Sequence, residues 1–244
     1  MEIVFLTALG VGGATVAGGV IGLIFKRISG RWSAVILAFA AGVMLAAAMV
    51  GLILPSLEFD GKFAVLVSTC GIICGAICID VIEKMMPGLC KWSGIGVKER
   101  QGVYLFVLAI AIHNLPEGIA AGVGFGTGDT TAGFLIAMGI ALQNVPEGMV
   151  VILSMISSGI SHKKSFFAAT MTGVVEIIGT LLGYYVANLS SRILPFALAF
   201  AGGTMLWVVN CQMIPETHGA EHRTLAAYST VLGFCLMLVF NELL

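Results

Sequence analysis

Two nearly identical hexapeptides hold most of the residues able to do chemistry: HNLPEG at 113–118 and QNVPEG at 143–148, each set inside an apolar run. At helical spacing His113 and Glu117 share a face at i,i+4, and Asn114 meets Glu117 at i,i+3. Gln143, Asn144 and Glu147 repeat that pattern, and a third acid, Glu176, lies deep in a later apolar run. Of thirteen Asp and Glu only these three are so placed, with no Lys or Arg at similar depth. A charge in hydrocarbon costs about 2.5 kcal/mol or more, so the acids are either protonated or matched by a cation that the chain does not encode. Carboxylate, imidazole and amide oxygens together describe a divalent transition-metal site of mixed N/O ligation. His113 favours Zn²⁺, Fe²⁺, Mn²⁺ or Cd²⁺ over Mg²⁺ or Ca²⁺, and bridging glutamates leave room for two ions. Pro116 and Pro146 are expected to kink their helices and free the carbonyls near Ile112 and Leu142, with Gly118 and Gly148 supplying small volume beside each kink.

The elements that position these groups follow from composition. The 244 residues are 59% hydrophobic and 10% charged, with a mean hydropathy of +1.05, which excludes a water-exposed globular surface. About 20 apolar residues make a helical span. Eight such runs are expected, at about 3–25, 34–57, 62–83, 102–126, 132–157, 165–187, 193–213 and 225–243. The reading is an all-α polytopic membrane protein of eight transmembrane helices, one domain over residues 1–244. Long runs argue against a β-barrel, and the start lacks the cationic region of a cleaved signal peptide. Ten of the twelve Lys and Arg fall in alternate connections, leaving Lys62 and Arg192 on the other side. The positive-inside rule then makes the connections after spans 1, 3, 5 and 7 cytoplasmic and both termini extracytoplasmic, in a plasma membrane of the bacterial inner-membrane type. Spans 4 and 5 run antiparallel with one motif at equal depth, which implies an inverted pseudo-two-fold axis through the site. A net charge of −1 points to no nucleic acid.

Other features carry weaker signals. Met44, mid-depth in span 2, reads as core filling with a thioether ligand as the alternative. Cys70, Cys74 and Cys78 stack on one face of span 3 and read as small buried apolar residues, with a soft-metal stripe as the alternative. Asp80 and Glu83 read as caps at the cytoplasmic interface. Glu216, His218, Glu221 and His222 form a polar connection whose alternative is an exit or regulatory metal site. There is no phosphate-binding G-x-x-x-x-G-K-[ST], so ATP is not the direct drive, and no H-E-x-x-H, which weighs against an intramembrane metal enzyme. A cation or proton channel is the other rival. Metal and protons compete for the same ligands, so uptake should weaken as pH falls.

At these residues the chain resembles the ZIP family of divalent metal transporters, which is not a family of enzymes. The resemblance rests on HNLPEG in span 4, x-N-x-P-E-G in span 5 and eight spans with both termini outside. It implies that Zn²⁺ is carried into the cytoplasm by alternating access through a binuclear centre, with His113, Asn114, Glu117, Gln143, Asn144, Glu147, Glu176 and Met44 as the metal residues. It also implies a 3+2+3 helix arrangement, a transport unit moving against a scaffold, and a homodimer in the bilayer. The chain departs from the family pattern at Asn144, where many members carry Asp, and at Cys211 and Gln212, where relatives often show an acidic pair. A His-rich cytoplasmic loop is also absent from Lys84 to Gln101.

Overall fold

A computed structural model describes residues 2–25, 30–58, 63–92, 98–125, 130–189, 193–217 and 223–243, with most of their side chains, and these residues contain helices and no strand. The helices are α1 (Glu2–Phe25), α2 (Gly30–Ala46), α3 (Ala64–Trp92), α4 (Lys98–Gly124), α5 (Thr130–Ser157), α6 (His162–Leu189), α7 (Leu194–Val208) and α8 (Arg223–Leu243). Two are prolonged. α2 continues through a π-helical segment, Ala47–Ile53, into a last turn, Leu54–Leu57, and α7 through Val209–Met213 into Ile214–Thr217. Among the described residues, α1, α2, α3, α5, α6, α7 and α8 are long and apolar enough to cross a membrane. The chain is an integral membrane protein. α4 is a 27-residue helix with Pro116 inside it, and it packs against α6, α5 and α7.

Several expected boundaries shift. α3 runs to Trp92 rather than ending near residue 83, and α4 begins at Lys98, so much of the supposed 84–101 loop is helix. Hydropathy marks where a helix leaves apolar surroundings, whereas backbone hydrogen bonding carries it on into polar ones. The helices are continuous through Pro116 and Pro146. The widened turns instead precede Pro55 and Pro215. π segments commonly mark sites where the regular ladder is interrupted.

Packing divides the helices into two groups. The most extensive contacts join α4 to α6, and α1 to α5 and α6; a second set joins α3 to α7 and α2 to α8. Within each group, glycines let backbones touch. An ideal Cβ at Gly18 would lie 2.0 Å from the Val145 carbonyl oxygen, and one at Gly42 would lie 1.9 Å from that of Thr230. Between the groups the contacts are of another kind: the Cβ of Gly51 would meet the Ile136 side chain, and that of Gly139 the tip of Met237. Small apolar residues from both groups, among them Ala40, Ala41, Ala47, Ala120, Ala121, Ala137 and Ala201, belong to one buried core.

The turn from α5 into α6 is fixed locally. Gly159 has φ 75°, its N–H reaches the Ile156 carbonyl at 2.9 Å, and the Ile160 N–H reaches that of Met155 at 3.0 Å. These two bonds make a Schellman cap, and Ile160 and Met155 are buried in the same apolar cluster. The short connection sets α6 antiparallel beside α5, which brings Glu176 to the level of Asn144.

Candidate metal centre

The two hexapeptides meet across α4 and α5 and bond reciprocally. Gln143 Nε2 of α5 donates to Glu117 Oε1 of α4 at 2.6 Å. In return, the Asn114 amide of α4 lies 2.7 Å from both the Ile110 carbonyl and Glu147 Oε1 of α5; both are acceptors, so its nitrogen faces them. The third acid enters from α6: Asn144 Nδ2 donates to Glu176 Oε1 at 2.5 Å and to the Val11 carbonyl of α1 at 3.0 Å. Glu176 Oε2 accepts from Thr15 Oγ1, also of α1, at 3.1 Å. Asn114, Glu117, Gln143, Asn144, Glu147 and Glu176 are all buried, Glu117 and Glu176 at 0% exposure.

The last residue of each motif makes this assembly possible. A Cβ on Gly118 would fall 2.2 Å from the Glu176 carbonyl oxygen, and one on Gly148 would fall 2.0 Å from that of Thr15. The glycines therefore do more than leave space beside a proline: they seat α6 on α4 and α1 on α5 at the depth of the acids.

Among the described residues, three buried oxygens have no hydrogen-bond partner: Glu117 Oε2, Gln143 Oε1 and Asn144 Oδ1. Each is an acceptor, and an unsatisfied buried polar atom costs about 1–3 kcal/mol, more when charged. No Lys or Arg occurs between residues 101 and 162 or between 165 and 191 to supply a donor. What this set of oxygens lacks is positive charge. Among the described residues, which exclude the His113 side chain, no three His, Cys, Asp or Glu close into a metal-holding cluster by themselves.

Other expected residues are placed as follows. His113 lies in α4 one residue before Asn114, and its side chain is outside those described. Met44 is buried in α2 within the main apolar core. The side chain of Glu216, and His218, Glu221 and His222 altogether, lie outside the described residues. Cys70 and Cys74 are exposed on α3, contrary to the expectation of buried packing, because that helix turns this face outward. Asp80 pairs with Lys84 at 2.6 Å. Glu83 does more than cap: it accepts from Trp207 Nε1 at 3.3 Å and from Gln212 Nε2, tying α3 to the π segment of α7. Thr15 was not anticipated. A lone threonine in an apolar helix is ordinary inter-helix glue, and only the fold shows that it meets an acid. An open, largely apolar cleft of about 370 Å³ lies between α1 and α5, lined by Ile3, Leu6, Thr7, Phe134 and Met138 among others, and reaches Val11, the acceptor of the Asn144 amide.

A family model described as ZIP zinc transporter matches residues 96–241. The chain is similar to the zinc transporter GufA of Myxococcus xanthus, 35% identical over 78% of each chain. It is likewise similar to the zinc transporter ZIPB of Bordetella bronchiseptica, 35% identical over 95% of this chain and 78% of that one. The zinc transporter ZupT of Chlorobaculum parvum is 30% identical over 96% of this chain and 95% of its own.

Proposed function

The chain belongs to the ZIP zinc transporter family, and from that premise we propose that it carries Zn²⁺ into the cytoplasm through the polar network between α4, α5 and α6. The observation that carries this reading is the set of acceptors Glu117 Oε2, Gln143 Oε1 and Asn144 Oδ1, buried without a partner among the described residues, in stretches of α4, α5 and α6 that carry no Lys or Arg. A divalent cation satisfies such oxygens at once and neutralises the acids that the bilayer would otherwise disfavour. With His113 one turn before Glu117, the donors are nitrogen and oxygen, a set suited to Zn²⁺ and open to Cd²⁺, Fe²⁺ or Mn²⁺. Glu147, bonded to Asn114, completes the ring of charge, and Met44 stands as an outlying thioether ligand from α2.

In this reading α4 is the eighth span and the helices are arranged 3+2+3, with both termini outside a plasma membrane of the bacterial inner-membrane type. Transport proceeds by alternating access, the group α1, α4, α5 and α6 moving as one body against α2, α3, α7 and α8. One contrast supports it: glycine-mediated backbone contacts knit each group internally, whereas between the groups Gly51 and Gly139 face side chains. A homodimer in the bilayer is part of the same proposal. The family is one of transporters, so an intramembrane enzyme is not the reading adopted.

The test is zinc uptake by liposomes containing the purified protein. Saturable, protein-dependent accumulation of Zn²⁺ above that of empty liposomes is expected; its absence under an imposed zinc gradient would sink the proposal. Because the ion binds deprotonated ligands, initial rates at fixed free Zn²⁺ should fall as pH is lowered, through a rise in KM more than a loss of maximal rate. A rate independent of pH across the acid range would remove the carboxylates and His113 from the path.

A further inference from the structure

Glu176 differs from Glu117 in how its carboxylate is engaged. One oxygen of Glu117 meets Gln143 and the other has no partner among the described residues. Both oxygens of Glu176 already accept a hydrogen bond, one from Asn144 of α5 at 2.5 Å and one from Thr15 of α1 at 3.1 Å. Hydrogen bonds to a carboxylate are charge-assisted and about twice as strong as neutral ones. The Asn144 amide is itself constrained. Its nitrogen is shared between two acceptors, Glu176 Oε1 and the Val11 carbonyl. Since an amide group is planar, that sharing fixes where its oxygen points, and this oxygen is among the orphaned ones.

Resting on the reading of this network as the zinc centre, we propose that Glu176 is a positioning residue and that the centre holds one ion at a time. Glu176 and the Val11 carbonyl clamp the nitrogen side of Asn144, with Thr15 holding Glu176, so that Asn144 Oδ1 is presented with Glu117 and Gln143 to a single Zn²⁺. The partner of Glu176 is a pair of donors from α5 and α1, where the family resemblance implies a second metal ion. Asn144 makes this possible: an aspartate at the same position has no N–H to give, and would set a second acceptor against Glu176.

The experiment counts zinc per chain in the purified full-length protein by titration calorimetry and elemental analysis. One ion is expected in the wild type. Glu176→Gln should still bind one ion, with affinity lowered about 10- to 100-fold, the usual cost of losing the group that orients a ligand. Thr15→Val should weaken binding in the same sense with the count unchanged, and Thr15→Ser should restore it. Asn144→Asp should raise the count to two. Two ions in the wild type, falling to one in Glu176→Gln, would overturn the assignment and make Glu176 a ligand. Two ions in the wild type would by themselves overturn the single-ion assignment, even where a variant does not fold. Absence of zinc from the wild type, or an unchanged count and affinity in Glu117→Gln, would instead overturn the centre on which the assignment rests.

Discussion

Glu117→Gln should abolish saturable zinc uptake while leaving the protein folded. The substitution preserves volume and keeps an oxygen for the Gln143 Nε2 donor at 2.6 Å. It replaces the partnerless Oε2 with an NH₂ group, whose protons point where the cation should sit. The site loses one negative charge and one ligand together. Losing even an outer-shell partner costs about 10- to 100-fold in metal affinity, so losing this ligand should cost more than about 100-fold. Stability should move the other way or not at all, because a buried charge has been removed. The measurement is zinc-stimulated indicator fluorescence inside liposomes, alongside thermal unfolding in detergent. Wild-type flux in a well-folded variant would mean that the ion passes elsewhere.

The second large effect should come from adding a single methyl group. In Gly148→Ala the new carbon would be 2.0 Å from the Thr15 carbonyl oxygen, and in Gly118→Ala 2.2 Å from that of Glu176. The opposing atoms are helix backbone, which cannot swing aside as a side-chain tip can. Overpacking usually costs about 1–3 kcal/mol and occasionally more; these two positions should reach or exceed the top of that range. They should also lose transport, because displacing α1 pulls the Val11 carbonyl from Asn144 and Thr15 from Glu176, and displacing α6 pulls Glu176 from both. Gly13→Ala and Gly139→Ala are the controls. The first has open space around it, and the second meets only the Met237 tip at 2.5 Å, so both should fold with near-normal melting temperatures. Equal losses in all four variants would refute the distinction between backbone and side-chain contacts.

These cases show what a sequence discloses and what it withholds. Glu117, Glu147 and Glu176 were legible because an ionisable group in an apolar run is costly enough to need a reason, and the repeated hexapeptide pointed to one shared place. The pairing of Gln143 with Glu117 and of Asn114 with Glu147 follows once α4 and α5 are set antiparallel. Thr15 and Val11 were hidden, since nothing in α1 announces which helix it will meet. Gly118 and Gly148 were legible only in part: their spacing from the prolines was visible, whereas the carbonyls they admit belong to other helices. The length of α3 escaped because Lys84 reads as the end of an apolar run, although the backbone ladder is indifferent to that charge. The outward face of Cys70 and Cys74 depends on which side of α3 packs against α7, and periodicity alone fixes a stripe without saying what it faces.

The π segments of α2 and α7 bear on how the chain tolerates change in length. A stretch closed by wider rings carries slack that a regular ladder would not hold. A deletion within Ala47–Ile53 is taken up by tightening of those rings, whereas deleting one residue from the regular turns of α2 would screw everything beyond it round by about 100°, since 3.6 residues complete a turn. Ser56, which bonds to Ser68 at 3.0 Å and receives that residue's hydroxyl on its own carbonyl at 2.9 Å, would be carried out of phase with α3. The number of residues in these two helices is thus dictated by angular phase as well as by the thickness of the bilayer they cross.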